Sequence, residues 1–89
     1  MTTCKQVIYT GHVQGVGFRY TTKRLAANYA VAGYVRNQSD GSVELMVEGQ
    51  PAEVDRFLTA LDEQMAGYVQ DRTIQDHDPC GFRGFVIRS

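Results

Sequence analysis

No tryptophan occurs in this chain, no acidic residue precedes Asp40, and only two cysteines and two histidines are present. Cys4 and Cys80 lie 76 positions apart, and neither has the close-spaced partner of a zinc or thioredoxin-type motif. Free thiols in a reducing compartment are therefore expected, with a bridge between the two left open. His12 and His77 also stand alone in sequence, so no metal site is expected. No apolar run approaches the roughly 18 residues of a membrane-spanning helix, and no basic segment followed by an apolar signal core opens the chain. The expected location is the cytoplasm.

What is present suits an ordinary globular protein: 43% hydrophobic residues, with five tyrosines and four phenylalanines among 89 residues. A chain of this size closes one hydrophobic core but not two, so residues 1–89 are read as a single domain. Its charges are unevenly distributed. Residues 1–39 carry Lys5, Arg19, Lys23, Arg24 and Arg36, a net +5, while residues 40–89 hold all ten acids against four arginines, a net −6. Either the second half presents a solvated acidic face, or the first half holds an anion site.

Residues 5–13 (KQVIYTGHV) are rich in β-branched and aromatic side chains and read as a strand. Tyr20–Ala32 carries Leu25, Ala26 and Tyr29 at helical spacing and is predicted as a helix capped by Gly33. Residues 34–37 and 42–48 read as two strands joined by a turn containing Asp40-Gly41. In the second, Val43, Leu45 and Val47 face one way and Glu44 and Glu48 the other, the pattern of a half-buried strand. Pro51, with Glu53 and Asp55 behind it, opens a second helix whose apolar stripe is Val54, Phe57, Leu58, Leu61 and Met65. Residues 68–74 have weak strand character, and Phe82–Arg88 reads as a final strand. The order β-α-β-β-α-β predicts a ferredoxin-like α+β sandwich: an antiparallel sheet with two helices on one face.

Between the first strand and first helix lies GHVQGVGFR, residues 11–19. Glycines allow positive φ and let backbone N–H groups approach a ligand, and successive inward N–H groups form an anion nest. Free N–H groups of the helix's first turn add to the same concavity. Arg19 would face the positive end of the helix macrodipole, which is unfavourable unless an anion lies between. A guanidinium donates two parallel hydrogen bonds to phosphate oxygens. The stretch is not a Walker loop, because no Gly-Lys-Ser/Thr follows. From glycine content alone, a tight turn with a solvated arginine stays open.

VQGVGFR, together with Gly33-Tyr34-Val35-Arg36-Asn37, Asp40-Gly41-Ser42-Val43-Glu44 and the closing Phe85-Val86-Ile87-Arg88, resembles the acylphosphatase family over nearly the whole chain. The resemblance implies that Arg19 and the backbone amides of Gln14, Gly15, Val16, Gly17 and Phe18 bind the substrate phosphate. It also implies that Asn37 orients the attacking water. The implied protein is a metal-independent, cofactor-free monomer acting on a small acyl phosphate and releasing inorganic phosphate, with no nucleic-acid or membrane partner. Three positions depart from the family's pattern: His12 replaces a frequent arginine, Tyr34 a frequent tryptophan, and Gln64–Gly67 a Gly-Pro segment. No functional residue is carried over from 64 to 80.

The chemistry is compatible with so spare a motif. The leaving group is a carboxylate whose conjugate acid has a pKa of about 4, so it departs without a proton and needs no general acid. Charge stabilisation and in-line placement of water do most of the work in phosphoryl transfer. Two rivals remain at this level. One is a non-catalytic anion-binding module. The other is an RNA-binding module, because Arg83-Gly84-Phe85-Val86 echoes an RNA-recognition signature, although on the last strand.

Overall fold

The computed structural model describes all 89 residues as β1 (Thr3–Gly11), α1 (Phe18–Ala26), β2 (Val31–Asn37), β3 (Val43–Gly49), α2 (Pro51–Gln64), β4 (Val69–His77) and β5 (Phe85–Arg88). The strands form one sheet in the order β4-β1-β3-β2-β5. Side chains alternate across it, so Val7, Tyr9, Val35, Leu45 and Val47 share one face, on which α1 and α2 pack as one core. The stripe read in α2 is all core: Val54, Phe57, Leu58, Leu61 and Met65 are buried. Complete burial of Phe57 or Leu61 contributes about 1.5–3 kcal/mol each.

This is the expected ferredoxin-like α+β sandwich, but the sheet is mixed. β1 pairs antiparallel with β3 and β4, and β2 with β3, whereas β2 and β5 run parallel. The parallel pair follows from the path of residues 78–84. β4 and β5 occupy opposite edges, so this segment must cross the sheet before β5 enters beside β2. It does so over the face that the helices leave open. There the backbone N–H groups of Cys80 and Gly81 donate to Glu48, Phe82 packs edge-on against Tyr34 at 5.8 Å between ring centroids, and Gly33 N–H donates to Gly84 C=O. The last strand is accordingly Phe85–Arg88, shorter than predicted from Phe82.

Two other expectations are corrected. α1 ends at Ala26 rather than Ala32, and Gly33 lies inside β2. Helix propensity in the alanine-rich stretch yields to pairing of Val31 and Ala32 with Gly49 and Glu48 of β3. Gly33 is required there by close approach: at φ 147° its missing Cβ would collide with the Met46 carbonyl oxygen. β3, read as half-buried, is the central strand and is buried from Val43 through Glu48. Its second face is covered by polar groups, since Glu44 accepts from Gln6 (2.7 Å), Arg36 (2.6 Å) and Tyr34 (3.0 Å). Burial pushes the Glu44 carboxyl up, but those three donors outweigh it and hold the group below the ordinary carboxylate range.

Candidate active site

Phe18 sets the orientation of the first βα connection. Its ring is buried against Tyr9, 5.0 Å between centroids, and fixes the first residue of α1 in the core. Arg19, about 100° further round the helix, turns out of the core. The preceding loop reaches this point through Gly15 and Gly17, both at φ 79°. Neither has an atom within 4 Å of where a Cβ would stand, so glycine is needed there for backbone conformation, not for room. Gly17 is the N-cap; it offers no side-chain acceptor, and no acid occupies the first turn. None of the N–H groups from Gly15 to Tyr20 donates to a protein acceptor.

Asn37 arrives from the other side. It shares the helix-facing side of β2 with buried Val35, two residues earlier, but stands at the end of the strand where α1 begins. Gly15, Gly17, Phe18, Arg19 and Asn37, with Val13 and Tyr20, line one cleft of about 190 Å³. Arg19 and Asn37, eighteen positions apart, are thus brought together. Neither side chain is engaged by any hydrogen bond or ion pair of the protein.

The side chains of Gln14 and Val16 do not line the cleft. The Gln14 amide donates to the carbonyl oxygens of Gln38 and Ser42, each at 2.9 Å, and Val16 packs against the core. Gln14 thereby ties the glycine loop to the turn that follows Asn37. The turn is itself braced, since Asp40 accepts from the Ser42 backbone at 2.9 Å and hydroxyl at 2.6 Å. Those hydrogen bonds hold the Asp40 carboxyl below its ordinary range. Sequence reasoning had not singled out Val13 or Tyr20, although the position of Tyr20 directly after Arg19 is a signal for it.

The uneven charge of the sequence resolves into one cation at the cleft. Arg36 lies on the opposite face of the sheet and pairs with Glu44 at 2.6 Å. Lys5 pairs with Asp76 at 2.6 Å, and Lys23 and Arg24 occupy the last turn of α1, where they complement its dipole. The lining contains no carboxylate, imidazole or thiol. A larger hollow of about 320 Å³ lies beside α2, but Asp55 and Glu63 line it with Arg56, an arrangement that disfavours an anion. The RNA-module echo also finds no platform on β5, because Phe85 packs inward on Phe57 at 6.0 Å.

The remaining departure concerns residues that looked solitary. The Cys4, His77 and Cys80 ligand atoms all lie within 4.8 Å of one another. Both cysteines are free thiols, Cys4 buried and Cys80 exposed. Burial pushes the Cys4 thiol up to about 11, with the charges of Cys80 and Glu48 adding to the effect. The spacing His77-x-x-Cys80 is its one local signal, which the sequence reading passed over; Cys4 joins the pair only because of where residues 78–84 cross the sheet.

A glycine-lined cleft with one unengaged guanidinium at a helix N-terminus, on a ferredoxin-like scaffold, is an arrangement suited to an anion. The family model described as "Acylphosphatase" matches residues 5–87. An acylphosphatase of Methanospirillum hungatei is 37% identical over 84 residues, covering 92% of each chain. One of Paenarthrobacter aurescens is 48% identical over 73 residues, covering 81% of this chain and 78% of the relative. The crystal structure of acylphosphatase from Bacillus subtilis superposes over the full length of both chains with a TM-score of 0.88 at 30% identity. The chain belongs to the acylphosphatase family, enzymes that hydrolyse acyl phosphates.

Proposed function

We propose that this enzyme cleaves the carboxyl–phosphate anhydride bond of a small acyl phosphate, with Arg19 and the amides of residues 14–18 holding the phosphoryl group and Asn37 placing the water. The observation that carries this reading is the meeting of Arg19 and Asn37 in one glycine-lined cleft. The Arg19 fork and the unengaged N–H groups face the equatorial phosphoryl oxygens and neutralise charge there. Asn37 donates and accepts at once, so it can hold a water in line with the leaving carboxylate. The water oxygen bonds to phosphorus, the P–O bond to the carboxylate breaks with its electron pair, and the water's proton passes to a phosphate oxygen of the substrate. The leaving carboxylate needs no acid, which agrees with a lining free of carboxylate and imidazole. Arg19 and the amides supply the positive potential, so the chemistry draws on no metal ion and no cofactor. The enzyme acts as a monomer on one small substrate.

A steady-state assay with acetyl phosphate, with and without chelator, tests this. Turnover well above buffer that survives chelation is expected. A rate equal to buffer, or one abolished by chelator, would overturn the proposal.

A further inference from the structure

Cys4 opens the sheet at the end remote from the phosphate loop. About seven residues at roughly 3.3 Å each separate it from Gly11, a distance of more than 20 Å. In the strand register it stands opposite Glu48 of β3 on one side and His77 of β4 on the other. All three belong to the face that residues 78–84 cross, and Cys80 descends onto them from that crossing segment. Two thiols and an imidazole from two stretches of chain, the start of β1 and residues 77–80, therefore converge on one point, their ligand atoms within 4.8 Å of one another.

We propose that Cys4 Sγ, His77 Nδ1 and Cys80 Sγ form a site for a thiophilic divalent metal, best suited to Zn²⁺, with water completing a tetrahedron. Zn–S distances of about 2.3 Å and Zn–N distances of about 2.0–2.1 Å give tetrahedral edges of roughly 3.6 Å for S···N and 3.8 Å for S···S. Cys80 Sγ and His77 Nδ1 are already 3.7 Å apart. The widest separation needs to close by no more than about 1.2 Å, which side-chain rotation of the exposed His77 and Cys80 can supply. Both exposed donors now face a single carbonyl oxygen, that of Asp78, at 2.8 Å from Nδ1 and 3.5 Å from Sγ. On binding, each thiol releases its proton to solvent, and the imidazole keeps one proton on Nε2, freeing the Nδ1 lone pair.

The surroundings favour a cation. Glu48, 8% exposed, accepts from the Cys80 and Gly81 backbone N–H groups but has no cationic partner; the chain's ion pairs involve Asp76, Glu44, Glu53 and Asp62 instead. Its hydrogen bonds from these two N–H groups orient the segment bearing Cys80, as an outer-shell carboxylate does. The metal would fasten the crossing segment to β1 without entering the phosphate cleft.

Cobalt titration of the reduced, chelator-stripped enzyme is the test. We expect a thiolate-to-cobalt charge-transfer band and tetrahedral d–d bands saturating at one ion per chain, displaced by Zn²⁺. Cys80→Ser, at an exposed position that should leave folding intact, should remove the charge-transfer intensity of one thiolate and weaken binding at least about 100-fold. Cys4→Ser and His77→Ala should weaken it similarly, and Zn²⁺ should raise the unfolding temperature of the wild type only. Acetyl phosphate turnover at 25 °C should be the same in Cys80→Ser as in wild type, with or without Zn²⁺. No thiolate band in the reduced wild type, an unchanged band in Cys80→Ser, or a Cys4–Cys80 disulfide whose reduced form takes up no metal would each overturn the proposal.

Discussion

Gln14 and Ser42 are joined by a 2.9 Å hydrogen bond from the side-chain amide of one to the carbonyl oxygen of the other, linking the glycine loop to the β2–β3 turn. The link fixes the spacing between Arg19 and Asn37 while the Gln14 side chain stays outside the cleft. Gln14→Ala should lower kcat by about tenfold, roughly 1.4 kcal/mol in the barrier, with a smaller effect on competitive inhibition by phosphate. Gln14→Glu, which keeps the length but replaces the donor with an acceptor facing two carbonyls, should be no better. Steady-state kinetics with phosphate as inhibitor checks both; an unchanged kcat in Gln14→Ala would remove the positioning role.

The two proposed catalytic residues should fail in different ways. Arg19→Ala should lose phosphate inhibition together with turnover, falling by 10³-fold or more, on the order of 4 kcal/mol. Arg19→Lys should recover little, because an ammonium cannot donate the parallel pair of hydrogen bonds. Asn37→Ala should lower kcat about 10²- to 10³-fold while phosphate still competes. Phosphate inhibition constants alongside kcat separate these patterns, and an Asn37→Ala enzyme with normal kcat would exclude the water-placing role.

Glycines in this chain should divide by the reason each is there. Gly15→Ala has room for its methyl group and bears only the left-handed backbone penalty, about 1–2 kcal/mol. Gly33→Ala has no room, because its methyl would drive into the β3 backbone at Met46. Denaturant titrations should show a folded, weakened Gly15→Ala and a largely unfolded Gly33→Ala. Comparable midpoints for the two would contradict the close approach of β2 and β3.

The acid limb of stability should depend on Glu44. Its folded pKa lies below the unfolded value near 4.5, so the unfolded chain binds more protons as pH falls. The stabilisation is present above about pH 4.5 and is lost as pH drops through the folded pKa. Asp62, raised by burial against the opposing pull of Arg72, acts in the other sense, destabilising the fold slightly as it ionises. Glu44→Gln should therefore lower the midpoint at pH 7 and flatten its fall between pH 5 and 3. A slope unchanged from wild type would show that the Gln6, Tyr34 and Arg36 donors contribute nothing to the acid transition.

Local pattern made much of this molecule readable. The stripe from Val54 to Met65 closes on itself every 3.6 residues, and a helix start at Pro51 needs no tertiary information. Arg19 and Asn37 were nameable because their flanking residues resemble a known motif, though nothing local says that they meet. What escaped was set by pairing across long sequence distances. The end of α1 depends on β3 claiming Val31, and the second buried face of β3 depends on Gln6, Tyr34 and Arg36 reaching Glu44. β4, exposed at nearly every position after Val69, carries no apolar alternation and is held by its backbone bonds to β1.

That pairing also has a consequence in time. The outer partners of β1 lie between 58 positions further along, for Gly11 with Val69, and 73, for Cys4 with His77. At roughly 5–20 residues per second, a ribosome extends the chain for several seconds before β1 can acquire its second neighbour. Until then one edge of β1 stays open, and the nascent chain must be shielded or must stay unstructured. Folding of this domain is thus expected to be completed only after β4 and β5 have been synthesised.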